Sequence, residues 1–167
     1  MAESSASDWL VNLYSLPETS AAEAELARNG ITVRRALVPE KSVLTHWVEE
    51  HFSAAWADEC AAAFSGHPVR CWIATQDRHP VGFSVYDSIA LGMAGPIGVA
   101  PQARTRGIGS LLLTRTLQAM RAQGYAYAVI GWVAADAIGF YQTVAGAVPI
   151  AHSAPHTGLY RDLLRRD

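Results

Sequence analysis

The stretch from Gly98 to Leu113 constrains this chain more than any other. An apolar segment ends near Val99, a short basic turn follows, and the turn runs straight into a helical pattern. Arg104, Gly107 and Gly109 spell R-x-x-G-x-G, and Ile108, Leu112, Leu113, Leu117 and Met120 recur beyond it at helical spacing. A helix start leaves its first four backbone N–H groups without partners, and the helix dipole places partial positive charge there. Glycines lack the Cβ that would hold an anion away from those groups. Arg104 and Arg106 add formal charge and forked donors suited to phosphate oxygens. The stretch therefore predicts a strand, a turn and a helix N-terminus arranged as a pyrophosphate cradle. By itself the pattern also describes an ordinary strand-to-helix turn with two solvated arginines. It lacks the Lys-[Ser/Thr] ending of a P-loop, which argues against nucleoside triphosphate hydrolysis.

Composition narrows the setting of this cradle. The chain has 167 residues, enough for one domain with a sizeable core, and the reading is a single domain over 1–167. Half the residues are hydrophobic and 17% are charged, which excludes a disordered chain. A net charge of −2 argues against nucleic acid as a partner. Cys60 and Cys71 show neither CxxC nor paired-His spacing, so they read as reduced and buried, with no metal site. Residues 1–7 have no charged n-region or apolar h-region, and no run reaches membrane-spanning length. A cytoplasmic protein is expected.

Taken in order, Trp9–Leu16 alternates loosely up to Pro17 and reads as an edge strand. Thr19 or Ser20 would cap a helix running to Arg28, and Ile31–Val38 would form a strand closed by Pro39. Leu44, Trp47, Val48, His51 and Phe52 share one helical face. Trp56, Cys60, Ala63 and Phe64 repeat the spacing, with the tryptophans read as core. Arg70–Thr75 and Val81–Tyr86 flank a turn and predict a β-hairpin, and Ala90–Val99 adds a third antiparallel strand. Pro96 cannot donate to a ladder and marks a bulge or an open edge. The helix after the cradle should end at Gly124, with Arg115, Gln118 and Arg121 on its solvated face. Tyr125–Val133 is almost continuously apolar, which predicts a strand buried on both faces and a parallel crossover. Asp136 would cap a short helix in which Gly139 signals close packing. Ala147–Ile150 and Gly158–Leu164 would form a closing antiparallel pair.

The segment Val99-Ala-Pro101-Gln-Ala-Arg104-Thr-Arg106-Gly107-Ile108-Gly109 resembles the acyl-CoA-binding motif of the GNAT family of N-acetyltransferases, with Thr105 where that family commonly has glycine. Downstream, Phe140-Tyr141-Gln-Thr-Val-Ala-Gly146-Ala147 resembles that family's F-Y-x-x-x-G segment. The two motifs in this order cover roughly residues 70–150. The resemblance implies an α+β fold, an α/β/α sandwich around a mixed, mostly antiparallel sheet with a splayed central strand. It also implies acetyl-CoA as cosubstrate. Ile97, Gly98 and Val99 on the splayed strand, then Arg104, Thr105, Arg106, Gly107, Ile108, Gly109 and Ser110, and finally Phe140, are the residues implied to hold it. The two tryptophan-bearing helices stand where that family builds one wall of its acceptor pocket, and its frequent dimerisation implies a homodimer.

The implied reaction is acetyl transfer to a primary amine, here of a small molecule. An alkylamine has a pKa of ~10.4, so a proton must leave before or during attack. The departing thiolate needs a donor, and by resemblance Tyr141 is the general acid. Backbone N–H groups around Ile97–Val99 would receive the developing oxyanion. The base is not determined. Asp87 and Glu59 are the candidates carried forward as catalytic, beside Asp58, while His46, His51 and His152 qualify by pKa alone. A protein or peptide acetyltransferase, and a CoA-binding module without catalysis, remain alternatives.

Overall fold

Alternation builds the first strand and fixes which way it faces. Trp9, Val11 and Leu13 are buried while Asn12 is exposed, so β1 (Ser7–Asn12) turns one apolar row toward the core. The computed structural model describes residues 6–104, 106–153 and 162–164. After β1 come α1 (Ser20–Arg28), β2 (Ile31–Arg35), α2 (Lys41–His51) and α3 (Ala54–Ala63). The hairpin β3 (Cys71–Gln76) and β4 (His79–Tyr86) leads to β5 (Met93–Val99) and α4 (Ile108–Ala122). Last are β6 (Tyr127–Val133), α5 (Ile138–Ala145) and β7 (Val148–Pro149).

The strands form one seven-stranded sheet in the order β2-β3-β4-β5-β6-β1-β7. Every pair is antiparallel except β5 with β6, where α4 makes the crossover. The β3–β4 turn closes over Asp77 and Arg78, both at positive φ (49° and 65°), the backbone of a two-residue hairpin whose twist matches its strands. Along β4 the faces alternate. A Cβ on Gly82 would meet Leu112 and Ile108 of α4, and Ser84 Oγ accepts a buried bond from Thr116 Oγ1 at 2.8 Å. Phe83 and Val85 turn the other way, into a core with Leu44 and Val48 of α2 and Ala57 and Cys60 of α3. Helices α1, α4 and α5 thus cover one face, with cores around Leu26, Leu112, Leu117 and Met120, and α2 with α3 cover the other. The result is the expected α+β architecture of a mixed sheet between helical layers.

Several expectations need correction. β1 is not an edge: it pairs with β6 on one side and with β7 on the other. β2 and β7 are the edge strands, and β2 ends at Arg35, because Leu37 leads into a single 3-10 turn, Val38–Glu40, with Pro39 inside it. β6 is buried on one face only. Ala128, Ile130 and Val133 are covered, whereas Tyr127 and Trp132 are each 50% exposed, since no helix among the described residues lies over that half of the opposite face. Arg121 is exposed as expected, whereas Arg115 and Gln118 are half-buried and held by neighbours. Arg115 pairs with Glu23 and lies over the Trp72 ring, and Gln118 donates to the Pro17 carbonyl, because α1 packs across α4 there. Gly139 has open space where a Cβ would stand, so it marks no close packing, and α5 starts after Asp136 rather than at it. β7 pairs with β1; of its expected partner, residues 158–161 lie outside the described residues, and Asp162–Leu164 form no strand. Cys60 and Cys71 are free and buried, as expected. No helix among the described residues is long and apolar enough to cross a membrane.

Candidate active site

The site begins where the sheet comes apart. β5 and β6 pair only at Met93 with Val129 and at Ala94 with Ile130. From Gly95 onward β5 stays with β4, through Ile97 with Ser84, Gly98 with Phe83 and Val99 with Gly82. Gly95 sits at φ 115°, a region that L side chains rarely adopt, and Pro96 has no N–H to offer β6. The register of β5 against β4 also slips between Ser84 and Tyr86. The reading of Pro96 as a bulge or open edge thus has both outcomes at once, a slip toward β4 and a parting from β6.

A cavity of about 1730 Å³ opens along this parting. At one end stands the N-terminus of α4. Gly107 caps the helix at φ 78°, and its carbonyl already takes the Leu111 N–H at 3.1 Å, leaving the N–H groups of Ile108, Gly109 and Ser110 as the first-turn donors. No carboxylate lies in that first turn to offset the dipole. Arg104 Nε donates to the Val99 carbonyl at 3.2 Å, which ties the basic turn to the end of β5. Arg106 is exposed beside it. Thr105 lies outside the described residues. On the other flank, α5 and β5 reach the turn at Gly109, where a Cβ would be in ordinary contact with Phe140 Cζ at 3.5 Å and Val99 Cγ2 at 3.6 Å.

These residues fit a CoA-type ligand. The cavity is lined by Ile97, Gly98, Val99, Arg104, Gly107, Ile108, Gly109, Ser110 and Phe140. Space is left open at the Gly107 Cβ position, where any other side chain would stand in the cradle. The unpaired edge of β5 offers main-chain groups to an extended amide arm, and the α4 N-terminus offers N–H donors to phosphate.

The proton-bearing candidates separate cleanly. Tyr141 lines the cavity with its ring edge-on to Phe140, centroids 5.1 Å apart, and burial pushes its phenol up to about 12. Glu59 lines the cavity from α3. Burial chiefly, and then the neighbouring Asp58 charge, raises its carboxyl to about 7. Asp87 is elsewhere. Its side chain is 1% exposed, its oxygens accept from the Gly92 N–H at 2.8 Å and the Tyr125 hydroxyl at 3.0 Å, and Arg70 lies beside it. It fastens the β4–β5 connection and is absent from the cavity lining. The same holds for His46, paired with Glu50, for His51, which stacks on Trp47, and for His152.

The structure adds residues that were not singled out for the site, although the resemblance had set the helices of Phe52 and Trp56 at one wall of an acceptor pocket. Phe52 and Trp56 stack at 5.3 Å, pack on Phe83, and line the cavity. Phe52 presses so closely on β5 that a Cβ on Gly98 would stand 2.6 Å from its Cζ. Helical spacing marked both aromatic residues, and nothing in the sequence pointed to the contact of Phe52 with Gly98. Ile89, Met93, Trp132 and Asp136 also line the cavity, with no sequence signal.

Comparison with known proteins agrees with this geometry. The family model described as "Acetyltransferase (GNAT) family" matches residues 35–147, and the chain belongs to that family. Among solved structures it is similar to the GCN5-related glucosamine N-acetyltransferase region of a fungal multi-domain GH3 β-N-acetylglucosaminidase. That match has 15% identity and a TM-score of 0.69, over 86% of this chain and 19% of the other. It is also similar to a GCN5-related N-acetyltransferase from Kribbella flavida (21% identity, TM-score 0.59, 86% of this chain and 54% of the other). A third, from Sphaerobacter thermophilus, has 18% identity and a TM-score of 0.58 over 90% of this chain and 45% of the other. The chain thus spans about half or less of the length of these structures. No curated protein matches it.

Proposed function

We propose that the protein transfers an acetyl group from acetyl-CoA to a primary amine of a small molecule, with Tyr141 as general acid and Glu59 as base. The observation that carries this reading is convergence: the unpaired edge of β5, the N-terminus of α4, the Tyr141 phenol and the Glu59 carboxylate all line one cavity. Acetyl-CoA supplies a thioester whose carbonyl carbon accepts a nucleophile. The α4 N-terminus and the two arginines hold the phosphates, and main-chain N–H groups of β5 face the charge that develops on the carbonyl oxygen.

A carboxylate near pKa 7 is suited to accept a proton at neutral pH, and a phenol near 12 keeps its own until a thiolate leaves. Glu59 takes a proton from the ammonium and passes it to solvent. The amine nitrogen then bonds the acetyl carbon as the carbon–sulfur bond breaks, and Tyr141 protonates the sulfur. The second proton lost by the nitrogen restores the phenol, so the products are the amide, the CoA thiol and one released proton.

Thermal denaturation with acetyl-CoA, against adenosine nucleotides as controls, tests the binding half. Saturation at 100 times Kd should stabilise the fold by about 2.7 kcal/mol, a rise of roughly 5–10 °C. No rise at millimolar ligand would refute the cradle and the reaction with it. Thiol release measured with Tyr141→Phe tests the chemical half. A loss of roughly 10²–10⁴-fold in turnover with acetyl-CoA binding unchanged is expected of a general acid. Wild-type binding without turnover of any amine would instead support a CoA-binding module.

A further inference from the structure

The direction of each main-chain group on β5 follows from its pairing with β4. Ala100 donates its N–H to the Val81 carbonyl at 2.9 Å, and Gly98 stands opposite Phe83 in the same register. Main-chain groups alternate in direction along a strand, so the N–H of Gly98 points at β4, and those of Ile97 and Val99 point into the parting. The Val99 carbonyl points the same way and already accepts from Arg104 Nε at 3.2 Å. Two donors therefore flank Gly98 on the cavity side of the strand.

Gly98 itself marks what stands beside them. A Cβ there would lie 2.6 Å from Phe52 Cζ, 2.8 Å from Cε1 and 3.0 Å from Cε2, so the tip of the ring rests against the strand at this residue. Phe52 lines the cavity and is held from several sides. Trp56 stacks on it at 5.3 Å, Trp47 meets it edge-on at 5.7 Å, and Phe83 lies at 5.7 Å. Its own N–H closes α2 on the Val48 carbonyl at 2.9 Å. A ring packed in this way cannot swing aside without moving its neighbours.

We infer that Phe52 is the end wall of the acyl site and holds the transferred group to acetyl. The inference rests on the acetyl-CoA reading and adds to it the choice among acyl-CoA thioesters. A thioester carbonyl carbon carries oxygen, sulfur and the acyl chain in one plane. In the proposed reaction the oxygen accepts from a β5 N–H, and the sulfur faces Tyr141, which packs with α4 on its side of the sheet. The acyl chain then points to the opposite side, where Phe52 packs with the core of α2 and α3. With the oxygen about 2.9 Å from its donor, a methyl group fits in front of the ring and a longer chain runs into it.

Titration calorimetry of the full chain with CoA, acetyl-CoA and butyryl-CoA decides it. In the wild type, butyryl-CoA should bind about tenfold or more weakly than acetyl-CoA, the scale on which a packed pocket discriminates by methylenes. Phe52→Ala should bring the two to near-equal affinity, and Phe52→Leu should fall between. CoA carries no acyl group, so its affinity reports whether the fold and the cradle survive in each variant. Melting without ligand shows whether Phe52→Ala folds; if it does not, Phe52→Leu carries the comparison, with a ratio closer to one than in the wild type. Equal affinity of the wild type for acetyl-CoA and butyryl-CoA, or the wild-type ratio in a folded Phe52 variant, would overturn the role of Phe52 and leave the acetyl-CoA reading standing. No binding of any of the three would overturn both.

Discussion

Gly98 shows how much one residue holds in this site. The Phe52 ring occupies the place of its side chain, and that ring is itself fixed by Trp47, Trp56 and Phe83. Neither the strand backbone nor the ring can yield cheaply. Gly98→Ala should therefore destabilise the fold by about 1–3 kcal/mol, the usual cost of overfilling a packed region, read as a lower Tm without ligand. Glu59 carries a second prediction, about pH. Its carboxyl is raised to about 7 in the folded chain, above the unfolded value. The folded state thus favours the protonated form, and the stability this brings is present at low pH and lost as pH rises through 7. Glu59→Gln should melt at a higher temperature than the wild type at pH 8, with the gap closing by pH 5. In kinetics the variant should lose the ascending limb near pH 7 in kcat/KM. A limb that survives would assign that proton to another group.

The turn into α4 makes its case at the scale of an element. Gly107 stands in the left-handed region with nothing within 4 Å of its missing Cβ. Gly107→Ala should cost about 1 kcal/mol in the free protein from backbone strain and weaken acetyl-CoA by about tenfold, because a methyl then stands in the cradle. Titration calorimetry beside ligand-free melting separates the two effects. This element was legible in the sequence because its signals are local: glycines at fixed offsets, flanking arginines, and a helical apolar run. The hairpin and the break at Pro96 were legible for the same reason. What failed to show was long-range. Nothing in Trp9–Leu16 says that β7 will cover its free side, and nothing in Asp87 says that Tyr125 and the Gly92 N–H will claim its oxygens. The apolar run of β6 was misread because, among the described residues, a helix covers only one face of the sheet there. Phe52 and Trp56 scored as core by period, and they are core on one side and cavity wall on the other.

For the whole molecule, the decisive fact is that the sheet is held across its middle by only two residue pairs, Met93 with Val129 and Ala94 with Ile130. Hydrogen exchange should find the amides of Ile97–Val99 that point away from β4 among the faster of the sheet, and acetyl-CoA should slow them. Equal protection with and without ligand would mean that this edge takes no part in binding. A bare strand edge is ordinarily a hazard at the rim of a sheet, where a stray chain can add itself. Here the two bare edges face the cavity between them and lie in the middle of the sheet, away from its rim. Recognition by main chain also has no side chain to lose. The fold tolerates wide change of sequence, as identities of 15–21% to proteins that share it attest, and the parting of these two strands asks only that the backbone keep its path.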